Sequence, residues 1–410
     1  MSLLAISTIN QLHSRMTDRL PIISLPASKS IAQRAYVVKL LSGSDCKIEP
    51  EPDCEDVEIM TAAIDIIKRS VTEGHLTADL RLNGTALRLL TAAAASIPGA
   101  HVTLTGVPRL CERPMAPLVE ALREADADIT YAGKPGFAPL TIRGRRLEGG
   151  ELAINASQSS QFVSALMLAA PTWTRGLKLR LTSIPVSEGY IRMTGNMMRS
   201  FGIPVETLLD RIAVMPRQYD MPATYHVEPD MSAAAFFFEA RALGMKQFLL
   251  PTPDPQGSLQ PDAAFHVILD EALREGSADR DMRNVPDIVP PLAVTLALRG
   301  IPFTMRGVGH LRHKECDRLE ALALGLRQLG FTVECDGDYI ACDSRRGPHE
   351  ENPLIRTFND HRMVMAFAVA AEVAGGLRVD CPEAVAKSYP GFWENLERVK
   401  SREGNDLGRT

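Results

Sequence analysis

The sequence predicts a two-domain α/β protein assembled from six similar units. Three observations lead there. At 410 residues the chain exceeds what one hydrophobic core ordinarily organises, so two domains are the natural division. One element recurs six times, a short polar motif followed by an alanine-rich apolar helix. Between the recurrences lie a second, amphipathic helix and short alternating strands, which is the pattern of α/β units.

The recurring element starts at Ser28 (SKSIAQRAYVVKLLSG), Asn83 (NGTALRLLTAAAAS), Ser159 (SSQFVSALMLAAP), Asp230 (DMSAAAFFFEARALG), Asp287 (DIVPPLAVTLALRG) and Asn359 (NDHRMVMAFAVAAEVAGG). The starts are roughly 55–75 residues apart, long for a solenoid repeat and right for a small α/β unit. These helices are apolar nearly all round, so they belong inside a domain. The amphipathic companions are clearest in APLVEALREADADITY, YIRMTGNMMRSFGIPVE and CDRLEALALGLRQLGFTVE. In the last of these Leu319, Leu322, Leu326 and Leu329 fall at helical spacing. Strands are predicted over 101–107, 177–184 and 302–308, where apolar and polar residues alternate. Six units divide into two domains of three.

Composition sets outer limits on function. The chain is 45% hydrophobic and 23% charged, with a formal net charge of −5. That is an ordinary globular balance, and its sign excludes a protein built as a whole for nucleic acid or an anionic membrane. The seven cysteines are odd in number, widely spread and form no C-x-x-C pair, which argues against a disulfide framework or structural zinc and fits a reducing cytoplasm. The opening MSLLAISTINQLHSRMTDRL lacks the charged region and long apolar core of a signal peptide. The alanine-rich runs are too short to span a membrane.

The polar starts carry the functional signal. Ser28, Ser159, Asp287 and Asn359/Asp360 are N-cap candidates. Helix N-termini carry free N–H groups and partial positive charge. Yet Lys29, Arg34, Arg88, Arg113, Lys314, Arg318, Arg362 and Lys387 lie near these or neighbouring turns. Cations at positive helix ends are electrostatically costly unless an anion sits among them. A single arginine near a helix start is usually a solvated surface residue; recurrence in both halves of the chain weakens that reading. No G-x-G-x-x-G, phosphate-loop, H-E-x-x-H or G-x-S-x-G motif occurs. His310 and His313 are three apart with no obvious third ligand. Neither a cofactor nor a metal is expected.

These motifs resemble the enolpyruvyl transferase family. The resemblance runs from about Leu25 to about Asn395, through LPASKSIAQRA, NGTALRLLTAA, RLCERPMAPLVEALREADADI, SSQFVSALMLAAP, SEGYI, VEPDMSAAAFF, VPDIVPPLAV, HLRHKECDRLEALALGLRQLG, TFNDHRMVMAFAVAA and AKSYPGFWENL. It implies two domains, each of three β-α-β-α-β-β units, with an inter-domain active-site cleft that closes on its substrates. One domain would comprise residues 1–27 plus 228–410, the other 28–227. The reaction implied is transfer of the enolpyruvyl group of phosphoenolpyruvate to the 5-hydroxyl of shikimate 3-phosphate, with release of phosphate. Both substrates are polyanions, which would explain the cations.

The resemblance also assigns roles. Ser30 and Arg34 would contact the shikimate part, Ser159, Ser160 and Ser187 its phosphate, and Gln161 its ring. His310, where the family usually has Asn, would lie beside that phosphate. Lys29 would bridge both substrates. Gly84, Arg113, Gln161, Arg318, Arg362 and Lys387 would hold phosphoenolpyruvate. Asp287 is the expected base for the 5-hydroxyl, and Glu315 or Lys314 the group handling the proton at the methylene carbon. The chain departs from the family pattern at Leu82, usually Asn. The alternatives are the sister transferase acting on UDP-N-acetylglucosamine and a binding-only homologue. A monomer acting on small molecules is expected, without nucleic acid or membrane.

Overall fold

The computed structural model describes residues 20–245, 247–252 and 257–400. The reading of the first residues as lacking a signal peptide lies outside these, as do the outer ends of the expected domain 1–27 plus 228–410.

Helix α1 (Lys29–Ser42), strand β1 (Lys47–Glu49) and helix α2 (Glu55–Glu73) open the fold. Two complete β-α-β-α-β-β units follow. The first is β2 (Leu76–Asp79), α3 (Gly84–Ala95), β3 (His101–Thr105), α4 (Ala116–Glu124), β4 (Asp128–Tyr131) and β5 (Leu140–Arg143). The second is β6 (Gly150–Ile154), α5 (Ser160–Ala169), β7 (Leu177–Leu181), α6 (Glu188–Ser200), β8 (Val205–Leu208) and β9 (Arg211–Val214). Strand β10 (Thr224–His226) then returns to pair parallel with β1, Lys47 opposite Thr224.

The remaining chain repeats the theme. Helices α7 (Met231–Ala242) and α8 (Phe265–Glu275) precede a third complete unit: β11 (Ala278–Asp281), α9 (Val289–Leu298), β12 (Phe303–Arg306), α10 (Arg318–Gln328), β13 (Phe331–Asp336) and β14 (Tyr339–Arg346). Strand β15 (Leu354–Ile355), α11 (His361–Ala374), β16 (Arg378–Val379) and α12 (Phe392–Val399) close the described chain. The three complete sheets share one topology, β2-β3-β5-β4, β6-β7-β9-β8 and β11-β12-β14-β13. In each, the first two strands are parallel across a buried helix, and the last two form an antiparallel hairpin. The other units are abbreviated: two keep a two-stranded sheet, and near α7 an isolated bridge joins Ile22 to Leu249.

Sequence chemistry explains this layering. Strands β6 and β7 alternate buried and exposed along their length, so each sheet has one face on helices and one in water. The alanine-rich helices are buried along most of their length; in α5 all residues from Phe162 to Ala169 are buried. Leucines such as Leu166 and Leu168 each contribute about 1.5–3 kcal/mol by leaving water. Small residues let these helices approach closely. A Cβ at Gly325 of α10 would collide with the ring of Phe367 in α11.

Two large hydrophobic clusters result, beside a small third one of Met231, Ala234 and Ala263. One contains residues from Ala27 to Val227, the other Ile23 and residues from Ala233 to Val399. The two chain crossings between them are hydrogen-bonded to each other: Ser28 N–H donates to the Glu228 carbonyl (2.8 Å) and Asp230 N–H to the Pro26 carbonyl (2.8 Å).

Candidate active site

Six helix starts face one another across the junction of the two clusters. From one side come α1, α3 and α5; from the other, the turn before α9 and the first turns of α10 and α11. Caps fix several of them. The Asn83, Ser159, Asp317 and Asp360 side chains accept backbone N–H bonds in α3, α5, α10 and α11. Of the expected caps, Ser159 and Asp360 act as such. Ser28 occupies the N-cap position without a side-chain bond, and Asp287 does not cap α9. The reason is local: Pro290 and Pro291 open that helix and have no N–H to offer. The Asp287 carboxylate is thereby left for the cleft.

One cavity is lined by Lys29, Ser30, Arg34, Gly84, Arg113, Ser159, Ser160, Gln161, Ser187, Asp287, His310, Lys314, Glu315, Arg318 and Arg362. Of the residues assigned to the site from sequence, these are all but one. The exception, Lys387, sits one layer back and reaches the wall through Asp56. Its Nζ donates to Asp56 Oδ1 (2.7 Å) and to the Leu82 carbonyl (3.3 Å).

Asp56 joins the two sides. It accepts from Lys29 Nζ (2.9 Å) as well as from Lys387. Burial pushes its carboxyl up, but the two ammonium groups outweigh that and hold it below its usual value. Burial likewise works against the Lys29 ammonium, and Asp56 more than compensates. His361 Nε2 lies 3.5 Å from Lys29 Nζ. Burial, then the charge of Lys29, drives its pKa well down, so the ring is neutral and can accept.

A second cluster surrounds Asp287. It receives Arg318 Nη1 (2.8 Å) and Arg362 Nη2 (3.0 Å), with Lys314 Nζ at 3.8 Å. Burial raises its pKa, and Arg362, Lys314 and Arg318 together reverse that and hold it well below the usual carboxylate range. Arg318 also grips Asp360 (2.7 Å) and Glu315 (2.8 Å). Glu315 is similarly kept ionised against its burial, by Arg318, Arg113 and Lys387. Lys314 is shifted down, chiefly by desolvation.

The third cluster has no carboxylate. Arg88 and Arg113 converge on Gly84, where an added Cβ would overlap both guanidinium groups. Arg88 Nη1 donates to the Gly84 carbonyl (2.9 Å), while Arg88 Nε and Arg113 Nε and Nη1 are buried without partners. Both pKa values are depressed by desolvation first, Arg88 also by the neighbouring charge of Arg113. Unpaired buried arginines at a helix N-terminus are a ready-made anion site. Asn83 follows Leu82 and its amide is engaged within the protein. It caps α3 at Ala86 N (2.9 Å) and donates to the Asp56 carbonyl (2.7 Å).

The opposite end is hydroxyl-rich. Arg34 Nη1 donates to the Ser30 carbonyl (2.7 Å) and its Nε to Thr194 Oγ1 (2.8 Å); desolvation lowers its pKa to about 10. Gln161 Nε2 reaches Thr85 Oγ1 (2.9 Å). Ser187, in a left-handed conformation (φ 54°), donates its N–H across the cleft to the Arg283 carbonyl (2.9 Å). His310 is buried with both ring nitrogens unpartnered. Its pKa falls to about 3, from desolvation and then from Lys314, so it is a neutral donor–acceptor where the family usually has an amide.

Sequence reasoning missed Asp56, Asn83, Tyr190 and His361 as site residues. Tyr190 and His361 lay inside quoted motifs, which could have flagged them. Asp56 gave no signal, since an acid in the first turn of a helix is what the dipole favours anyway.

Two α/β halves built of repeated units, closing on a cavity of buried cations between opposed helix starts, define the enolpyruvyl transferase class. Residues 18–396 match the family model described as EPSP synthase (3-phosphoshikimate 1-carboxyvinyltransferase). The chain is 38% identical to a 3-phosphoshikimate 1-carboxyvinyltransferase of Bacteroides fragilis, covering 92% of this chain and 94% of the relative. It is 35% identical to the protein of that name from Methanosphaerula palustris, covering 90% and 95%. An EPSP synthase structure from Acinetobacter baumannii superposes with a TM-score of 0.68 over 93% of this chain and 97% of that one, at 21% identity, a likeness of fold. The chain belongs to the EPSP synthase family.

Proposed function

We infer that the protein transfers the enolpyruvyl group of phosphoenolpyruvate to the 5-hydroxyl of shikimate 3-phosphate, releasing phosphate, in the pathway to chorismate and aromatic amino acids. The observation that carries this reading is the cavity's charge. Seven cations and three carboxylates line it, in a chain whose net charge is −5. Two substrates that each bear a phosphate and a carboxylate fit that excess.

Phosphoenolpyruvate binds with its phosphate against Gly84 and Arg113, with Arg318, Arg362 and Lys387 holding the rest and Lys29 and Gln161 between the substrates. Shikimate 3-phosphate lies against Ser30 and Arg34, its phosphate on Ser159, Ser160, Ser187 and His310. Asp287 takes the 5-hydroxyl proton as that oxygen attacks C2 of phosphoenolpyruvate. Glu315 or Lys314 delivers a proton to C3. Removal of a methyl proton then restores the double bond as the C2–O bond to phosphate breaks.

The surrounding cations by themselves hold Asp287 and Glu315 too acidic for this work. Substrate anions neutralise Arg318, Arg362 and Arg113, and both carboxyls then rise toward useful basicity. Chemistry is thereby coupled to occupancy. Two domains, 1–27 with 228–410 and 28–227, acting as a monomer in the cytoplasm, complete the reading. Two separate cores and seven unpaired cysteines support it, and no helix among the described residues is long and apolar enough to cross a membrane.

The test is phosphate release by purified protein with each substrate omitted in turn. Release should require both, and Asp287→Asn and Glu315→Gln should each lower kcat by about 100-fold or more while titration calorimetry still detects binding of shikimate 3-phosphate. Binding without turnover in the unaltered protein would sink the reading, as would turnover with UDP-N-acetylglucosamine instead.

A further inference from the structure

Asp262 is a buried carboxylate that the chemistry above does not use. It lies in the 3-10 turn Pro261–Ala264 ahead of α8 and is 1% exposed. Its Oδ1 has no hydrogen-bond partner. Its Oδ2 accepts from the Ser232 hydroxyl of α7 and from the Tyr190 hydroxyl of α6 (3.0 Å). The same Tyr190 oxygen lies 3.4 Å from Asp287 Oδ2. One phenol therefore stands between two carboxylates, one of them the base.

A phenol has a single proton to give. Donated to Asp287, it would stabilise the carboxylate and weaken the base. The shorter contact sends it the other way. We propose that Asp262 is a positioning residue: it draws the Tyr190 hydroxyl proton to itself and so keeps Asp287 free to accept the proton of the substrate hydroxyl. This rests on the reading of Asp287 given above.

The arrangement has a titration built in. Asp262 is faced by Tyr190 from α6, Ser232 from α7, Asp287 ahead of α9 and Arg362 from α11. Burial, then the charge of Asp287, raises its pKa to about 6, although Arg362, Ser232 and Tyr190 pull the other way. Once protonated, Asp262 donates to the phenol oxygen, and the Tyr190 proton turns to Asp287. Activity should then fall as pH drops through about 6.

The experiment is the pH dependence of kcat for the full chain at saturating phosphoenolpyruvate and shikimate 3-phosphate. Using kcat removes the ionisation of free substrate phosphates, which also falls near 6. The unaltered protein should show an acid limb near pH 6. Asp262→Asn keeps an acceptor and cannot titrate; it should lose that limb and hold kcat at neutral pH within about threefold. Asp262→Ala should lower kcat about tenfold or more at neutral pH, with either KM changed less than about threefold. A limb that survives in Asp262→Asn overturns the proposal, as does an Asp262→Ala protein that melts earlier but turns over normally. If Asp262→Ala does not fold, the Asn variant decides alone. Failure of the unaltered protein to turn over would instead count against the assigned reaction.

Discussion

At the scale of single residues, the molecule separates buried charges that are used from one that is not. Lys29, Asp56 and Arg318 are buried, Asp287 is largely so, and they pair as Lys29–Asp56 and Arg318–Asp287. Glu239 in α7 is fully buried with neither oxygen partnered, and desolvation raises its pKa well above normal. A raised carboxyl pKa means the folded protein keeps a proton that the unfolded chain loses above about pH 4.3. Folding is therefore increasingly penalised as pH rises above that value, by about 1.4 kcal/mol per unit until the folded-state pKa is passed. Glu239→Gln, which mimics the protonated form, should match the unaltered protein in melting temperature near pH 4. It should exceed it by a margin that grows toward pH 8. A margin independent of pH, or none, would show that Glu239 is not held neutral.

At the scale of elements, the start of α3 is the most constrained. Its first residue must be glycine because Arg88 and Arg113 fill the space where a Cβ would go. Helix propensity alone favours alanine there by about 1 kcal/mol, so Gly84→Ala should not lower the melting temperature. Displacing the two guanidinium groups should nonetheless raise the KM for phosphoenolpyruvate about tenfold or more, leaving that for shikimate 3-phosphate nearly unchanged. Steady-state kinetics with each substrate varied would decide. Equal changes in both KM values would mean that the arginines do not serve one substrate. The repeated elements themselves were legible in sequence: helices over 116–124 and 318–328 and strands at 101–105, 177–181 and 303–306 fall within the predicted stretches, and the helix over 188–200 starts two residues before its own. The strand complement of the shorter units was not, because strands of two or three residues carry too little alternation to read.

At the scale of the whole molecule, the two cores are tied across the cleft by Arg109 as well as by substrate-site residues. Its guanidinium donates to the carbonyls of Arg312 (3.0 Å), Lys314 (3.2 Å) and Glu315 (3.3 Å). The segment it holds carries Lys314 and Glu315, so one side chain both joins the cores and fixes the backbone of those two residues. Arg109 is partly exposed and its bonds to the 312–315 segment join the cores rather than lie within either, so Arg109→Ala should lower the melting temperature only modestly. Loss of charged hydrogen bonds, about 1.5–3 kcal/mol each, should raise the KM of both substrates together. It should also shift the small-angle scattering of the ligand-free protein toward a more extended particle. Unchanged kinetics and scattering would remove Arg109 from closure.

By itself the sequence determined the α/β class, the six units and the cations beside their helix starts, while Ser30, Gln161, Ser187, His310 and Glu315 of the cavity wall were marked by the family resemblance. The first three are local: an alanine-rich helix, its polar start and the cation beside it are neighbours in the chain. Only the tertiary structure decided which charges meet. Asp56 pairs with Lys387 across 331 positions of sequence and Tyr190 reaches Asp287 across 97. The pairing also divides the cations. Arg318 is paired with three carboxylates, whereas Arg88 and Arg113 have none within salt-bridge distance among the described residues, and nothing in the spacing of arginines distinguishes the two cases. Burial makes that difference matter, because a charge removed from water must find its partner in the fold or in the ligand.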